Sequence, residues 1–154
     1  MSIELTVNGR KVSVTVADDV PLLDVLRNHL DLKGSRYGCG LEQCGTCMVL
    51  IDGKAEYSCA RDIATVAGGR VETVESLASH PLRAAFLDEQ AGQCGYCLSG
   101  ILMSAKALLD SNKNPTRAEI VAALDNHLCR CGAHPRILRA VEKAAATLRE
   151  GVPA

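Results

Sequence analysis

The chain has 154 residues, enough for one largish domain or two small ones, with 47% hydrophobic and 23% charged residues and a net charge of −1. No basic block occurs, which argues against a nucleic-acid or anionic-membrane surface. The N-terminus lacks the basic and apolar regions of a signal peptide, and no apolar stretch approaches bilayer-spanning length, so the expectation is a cytoplasmic protein without direct membrane insertion.

In chain order, residues 3–8 and 11–16 alternate with period two and are joined through Asn8-Gly9, a strong hairpin signal. Pro21 opens a short amphipathic helix over 21–30, with Leu22, Leu23, Val25, Leu26 and Leu30 apolar. A Gly-rich loop from Gly38 to Gly45 follows. Strands are expected at 47–52 and 54–60, joined by Asp52-Gly53, and a last one at 71–74. Aromatic side chains are confined to Phe86, Tyr37, Tyr57 and Tyr96, so any core is built from Ala, Leu, Val and Ile. Met48 and Met103 fall among apolar neighbours and read as core.

From about residue 80 the period becomes helical. Pro81 suits a first helical position. Leu98, Ile101, Leu102, Ala105, Leu108 and Leu109 form one stripe. Thr116 and Glu119 make a capping box, after which Ile120, Val121, Leu124 and Leu128 form another. Pro135 starts the last helix, with Ile137, Leu138, Val141, Ala145 and Leu148 inward. The join between the two patterns lies near residues 75–80.

Eight cysteines fall into two sets of four. Cys39, Cys44, Cys47 and Cys59 read C-x4-C-x2-C with a later fourth member, the plant-type spacing for a 2Fe–2S cluster. Such a cluster needs four thiolates and backbone N–H donors close by, and Gly38, Gly40 and Gly45 let the chain come near. Zinc fits this spacing poorly, and a reducing compartment disfavours disulfides. Cys94, Cys97, Cys129 and Cys131 pair a C-x2-C with a distant C-x-C. Spacing alone leaves a second cluster, a zinc site and a dithiol open for this set. Helix N-termini after Cys97 and Cys131 would favour anionic thiolates. His29, His80, His127 and His134 have no ligand-like spacing and are expected at the surface or at helix ends. No residue stands out as a catalytic acid, base or nucleophile.

The segments Tyr37 to Cys47, Gln93-Cys94-Gly95-Tyr96-Cys97 and Leu128-Cys129-Arg130-Cys131-Gly132 together resemble the small iron–sulfur subunit of molybdenum hydroxylases, the xanthine oxidase family. The resemblance covers about residues 3–148. It implies an α+β fold, with an N-terminal β-grasp, plant-type ferredoxin-like domain (1–76) followed by a four-helix 2Fe–2S-binding domain (77–154). It also implies two 2Fe–2S clusters, one on each cysteine set. A large partner subunit would bind the molybdopterin, in its cytosine dinucleotide form, with Gln93 and Cys131 of this chain beside it. Electrons would leave molybdenum one at a time, through the cluster of Cys94, Cys97, Cys129 and Cys131, then that of Cys39, Cys44, Cys47 and Cys59, to a flavin subunit or a cytochrome.

Many members of the family have Cys-Arg-Cys-Thr-Gly-Tyr and Cys-Thr-Pro-Gly where this chain has Cys129-Arg130-Cys131-Gly132-Ala133-His134 and Cys97-Leu98-Ser99-Gly100. These variants resemble the nicotinate and isoquinoline oxidoreductase branch, which implies an aromatic N-heterocycle as substrate. An aldehyde-oxidising complex of the same family is the alternative, and a free-standing ferredoxin-like carrier is another. A free ferredoxin would need only residues 1 to about 75, so the helical half favours membership of a larger complex.

Overall fold

The structure, a computed structural model, describes residues 2–151. Strands β1 (Ser2–Val7) and β2 (Arg10–Thr15) form an antiparallel hairpin, Val7 pairing with Arg10. Asn8 and Gly9 both take positive φ, 48° and 79°, the turn whose twist matches that of the strands. Ile3, Leu5 and Val7 are buried while Ser2 and Glu4 are exposed, as alternation across a pleated strand requires. The same logic closes β3 (Met48–Ile51) on β4 (Lys54–Tyr57) through Asp52 and Gly53, with φ of 48° and 83°. Strand β5 (Arg70–Glu72) pairs parallel with β1 and antiparallel with β3, completing a mixed sheet of order β2-β1-β5-β3-β4.

The expected ten-residue helix over 21–30 takes another form. Only Leu22–Asp24 (α1) is α-helical, and Val25–His29 winds wider, Leu30 N–H reaching back to Val25 O at 3.1 Å. A five-residue reach puts an extra residue into the turn. It keeps Val25 and Leu26 fully buried while the chain swings outward at Asp31, φ 58°. These two residues, Leu22, Val49, Ile63 and the inward residues of β1 make one core.

Four α-helices follow the strands among the described residues, giving an α+β chain. Helix α2 (Pro81–Asp88) begins with proline at its first turn, and His80 Nδ1 accepts the Leu82 N–H at 3.1 Å. Helix α3 (Leu98–Ser111) carries the expected stripe. Helix α4 (Arg117–Leu124) has both halves of its capping box: Thr116 Oγ1 accepts from Glu119 N and Glu119 Oε2 from Thr116 N. The stripe expected to run on to Leu128 ends at Leu124, because α4 stops there, and Val121, expected within it, is exposed. Leu128 lies in the following loop and is 65% exposed. Helix α5 (His134–Glu150) buries Ile137, Ala140, Val141, Ala144 and Ala145 against α2 and α4.

Helix α3 joins the two parts. Met103, fully buried, meets Leu50 of β3 and Leu77 in a cluster of their own. Lys106, also on α3, reaches Glu72 of β5 at 3.2 Å and Asp110 at 2.5 Å. The strands and the helices therefore share a packed boundary, and both cysteine sets lie along it.

Candidate metal centres

Cys39 and Cys44 sit in one tight loop. Cys39 Sγ accepts the N–H groups of Leu41 at 3.3 Å and of Gln43 and Cys44 at 3.4 Å, while Cys39 N–H donates to Cys44 Sγ at 3.4 Å. Those donors, Leu41 first and Gln43 next, hold the Cys39 thiol down to about 7. The loop needs its glycines: Gly40 and Gly45 have φ of 70° and 76°, and a Cβ on Gly38 would lie 2.6 Å from Cys44 Sγ. Cys47 and Cys59 are buried, next to Leu23 and Tyr57, and burial pushes the Cys47 thiol up to about 11 despite the Cys59 N–H. Cys39 is thus poised to ionise, while Cys47 needs a cation to do so.

The second set is gathered from two distant chain segments. Cys97, mostly buried, stands just before α3, Cys94 is exposed beside it, and Cys129 and Cys131 come from the loop before α5. Cys94 is drawn below the ordinary thiol range by the Tyr96 N–H and then by the Cys131 thiol. Cys97 is pushed up to about 12 by burial and by its hydrogen bond with Cys129. At Cys129 burial pushes upward too, but the Ala133 N–H, Cys97 and the Cys131 and Gly132 N–H groups outweigh it. The set pairs Cys94 with Cys131 and Cys97 with Cys129.

Among the described residues no three His, Cys, Asp or Glu side chains are grouped to hold one metal ion. A binuclear cluster takes two thiolates on each iron and spreads its four donors wider than one tetrahedral ion does. The all-sulfur donor sets, the N–H cradle around Cys39 and the space kept clear at Gly38 fit such a cluster.

A seam of contacts joins the two loops. Leu128 N–H donates to Cys44 O at 3.1 Å, and Ser99 Oγ donates to Thr46 O at 3.1 Å. Gly100 lies so close to Gly45 that an added Cβ would stand 1.9 Å from Gly45 O. On the outer side Arg36 Nη1 donates to Gly95 O at 2.6 Å, its guanidinium lies 5.3 Å from the Tyr96 ring centre, and the Tyr96 hydroxyl donates to Tyr37 O.

His127 overturns the expectation of a surface or helix-end histidine: it is 3% exposed, with Nε2 2.7 Å from Ser104 Oγ. Burial, and then the charge of His134, lower it to about 4, so the ring is neutral at pH 7. His80 and His134 do stand at helix ends, before α2 and at the first residue of α5. The residues of the seam, Ser99, Gly100, Ser104 and His127 among them, carry no spacing that marks them in the sequence. Gln93 is exposed and lines an open cavity of about 830 Å³ with Phe86, Leu98 and Arg136. Tyr37, Leu41, Tyr96 and Leu128 are large, exposed apolar residues within or next to the cysteine segments. No helix among the described residues is long and apolar enough to cross a membrane.

Two family models match in succession: the 2Fe-2S iron-sulfur cluster binding domain over residues 5–78 and the [2Fe-2S] binding domain over 71–142. Among curated relatives, a nicotinate dehydrogenase subunit of Pseudomonas putida is 51% identical, the match covering 97% of this chain and 98% of that one. The alpha subunit of isoquinoline 1-oxidoreductase of Brevundimonas diminuta is 48% identical over 93% of this chain and 97% of its own length. Among solved structures, quinoline 2-oxidoreductase from Pseudomonas putida 86 superposes with a TM-score of 0.93 at 34% identity, covering 98% of this chain and 97% of that one. Aldehyde oxidoreductase from Desulfovibrio gigas gives 0.94 at 35% identity, over 98% of this chain but 17% of that much longer one.

Proposed function

From the premise that this chain belongs to the small iron–sulfur subunits of the molybdenum hydroxylases, we propose which of its residues serve the relay and what the complex oxidises. The chain is an electron-transfer subunit of an oxidoreductase and carries no complete active site of its own. Cys39, Cys44, Cys47 and Cys59 hold one 2Fe–2S cluster, and Cys94, Cys97, Cys129 and Cys131 hold the other. The cradle of N–H groups on Cys39 Sγ, beside a glycine whose Cβ would strike Cys44 Sγ, is the observation that carries the first assignment; the pairing of Cys94 with Cys131 and of Cys97 with Cys129 supports the second. Bound there, each cluster supplies a one-electron carrier. The chain itself favours the thiolates of Cys39, Cys94 and Cys129 through backbone donors, buries Cys47, Cys59 and Cys97, and holds the two loops together along the seam.

Residues 1–76 are read as a β-grasp, ferredoxin-like domain and 77–154 as a four-helix cluster-binding domain. A large subunit binds molybdopterin as the cytosine dinucleotide. Gln93, exposed and lining the 830 Å³ cavity, and Cys131 face that cofactor. Electrons leave from the cluster nearer residues 39–59 to a flavin subunit or a cytochrome, in the cytoplasm. The substrate class is an aromatic N-heterocycle. The relatives named for nicotinate and isoquinoline are 51% and 48% identical, whereas the aldehyde oxidoreductase of Megalodesulfovibrio gigas is 36% identical.

Anaerobic purification of the native complex tests the reading. The chain should co-elute with a larger molybdenum-containing protein, contain about four irons and four labile sulfides, and support oxidation of nicotinate or isoquinoline in preference to aldehydes. Elution alone, or zinc in place of iron, would refute it.

A further inference from the structure

The seam contains one buried group that the cysteine reading does not use. His127 Nε2 is bonded to Ser104 Oγ at 2.7 Å, yet its Nδ1 is buried with no hydrogen-bond partner among the described residues. A buried ring nitrogen left unpaired needs an explanation. Its surroundings supply one. A Cβ on Gly45 would fall 2.3 Å from His127 Nδ1 and 2.7 Å from Asn126 O, so the edge of the ring rests on the Gly45 α-carbon. The Gly45 carbonyl in turn lies against Gly100, in the first turn of α3. Gly45 is therefore held between the imidazole and a helix whose Met103, Ser104 and Ala105 are all buried.

Chain order gives this wedge its meaning. Gly45 follows Cys44 of the first set. Leu128, which donates to Cys44 O, follows His127 and precedes Cys129 of the second set. One rigid ring thus touches the first cysteine segment and belongs covalently to the second, at the hydrogen bond that joins them. We infer that His127, anchored by Ser104, is a positioning residue: its imidazole is the spacer that fixes the separation of Cys44 from Cys129, and with it the coupling between the two one-electron centres. Electron tunnelling falls steeply with separation, so a small displacement of either loop is enough to change the rate. A spacer for this purpose must be stiff, must reach the buried Ser104, and must face a residue with no side chain. Leucine fills the volume without the bond to Ser104. Glutamine makes the bond without the stiffness.

The inference rests on the eight-cysteine reading above. Its test uses the intact complex, reduced with dithionite, and reads the spin–spin splitting between the two reduced clusters by low-temperature electron paramagnetic resonance. Ser104→Ala should alter the splitting and His127→Leu should alter it further. His127→Gln should fall between the parent and His127→Leu, with iron and sulfide contents unchanged throughout. Parental splitting in both Ser104→Ala and His127→Leu, even with lowered thermal stability, would mean that the ring is filler, and would overturn the inference. Should His127→Leu lose its iron, parental splitting in Ser104→Ala alone overturns it. A parent complex without two iron–sulfur signals would instead defeat the eight-cysteine reading.

Discussion

The N–H of Leu128 points at the carbonyl oxygen of Cys44, 3.1 Å away, so that one backbone hydrogen bond connects the residue before Cys129 to a cysteine of the other set. The Leu128 side chain is 65% exposed and contributes little burial. Its value lies in the main chain, which only proline can remove. Leu128→Pro deletes the donor at a cost of about 1 kcal/mol for the lost hydrogen bond, whereas Leu128→Ala keeps it. Electron transfer between the two centres, followed after rapid one-electron reduction of the complex, should slow in Leu128→Pro and stay at the parental rate in Leu128→Ala. Equal rates in the two variants would show that the bond carries no coupling.

Close approach at Gly100 gives a prediction about stability. A methyl group there would stand 1.9 Å from Gly45 O and 3.1 Å from the Thr46 α-carbon, both backbone neighbours that cannot swing aside. Gly100→Ala should destabilise the chain by about 1–3 kcal/mol or more through overpacking, and should loosen iron retention at both sets. Gly9 offers the control. It has φ 79° but nothing within 4 Å of an added Cβ, so Gly9→Ala should cost only the conformational penalty, about 1–2 kcal/mol, with iron content intact. Thermal unfolding and iron assay of the two variants side by side separate the effects.

What the sequence shows plainly here is whatever is settled within a few residues. Asn8-Gly9 and Asp52-Gly53 mark hairpins because both turn positions need positive φ, and Thr116 with Glu119 marks a helix start because the two side chains cap each other. The helix over 21–30 is legible as an apolar stripe, but its wide turn is not, since Val25 and Leu26 lie on the inner face in either winding. In the sequence the next stripe continues to Leu128 because no Gly or Pro interrupts residues 125–128; the end of α4 leaves no local trace. His127 is illegible for a stronger reason. Its burial depends on α3 and the 126–131 loop meeting the Cys44–Cys47 loop, a long-range apposition held largely by backbone atoms that any residue possesses. The cysteine spacing announces two thiolate sets, while the seam between them is a property of the folded chain alone.

His80 makes the start of α2 sensitive to pH. Its Nδ1 accepts the Leu82 N–H at 3.1 Å, which only the neutral ring can do. Burial lowers its pKa below the ordinary 6.5; Asp110 opposes this and Lys106 adds to it. A histidine whose folded value is depressed gives its stability above the unfolded value and loses it as pH falls through 6.5 towards the folded one. The cap is worth about 1 kcal/mol. His80→Asn keeps an acceptor that does not titrate in this range. Melting temperatures between about pH 5 and 8 should therefore fall less steeply on acidification in His80→Asn than in the parent. Parallel curves would place the acid sensitivity elsewhere.

The two cysteine sets should also be separable by substitution, because the cores behind them are separate. Ile3, Leu22, Val49 and their neighbours support one side, and Leu82, Ile101, Ile137 and theirs the other. Serine in place of a ligand keeps the size of the side chain but offers a harder oxygen donor, poorly matched to a sulfur-rich iron site. Cys44→Ser and Cys131→Ser should each lower iron from about four to about two per chain and remove a different one of two paramagnetic signals. Their consequences for turnover should differ by position in the relay. With Cys131→Ser the complex should still bind substrate and become reduced at molybdenum, but re-oxidation should slow, because the proposed relay places this cluster as the first outlet. Cys44→Ser leaves that first outlet in place, so one electron should still pass from molybdenum to the cluster of Cys94, Cys97, Cys129 and Cys131 before transfer stalls. Stopped-flow mixing of reduced complex with acceptor distinguishes the two. The same early transfer in both variants would mean that the relay does not run from the helical side to the strand side.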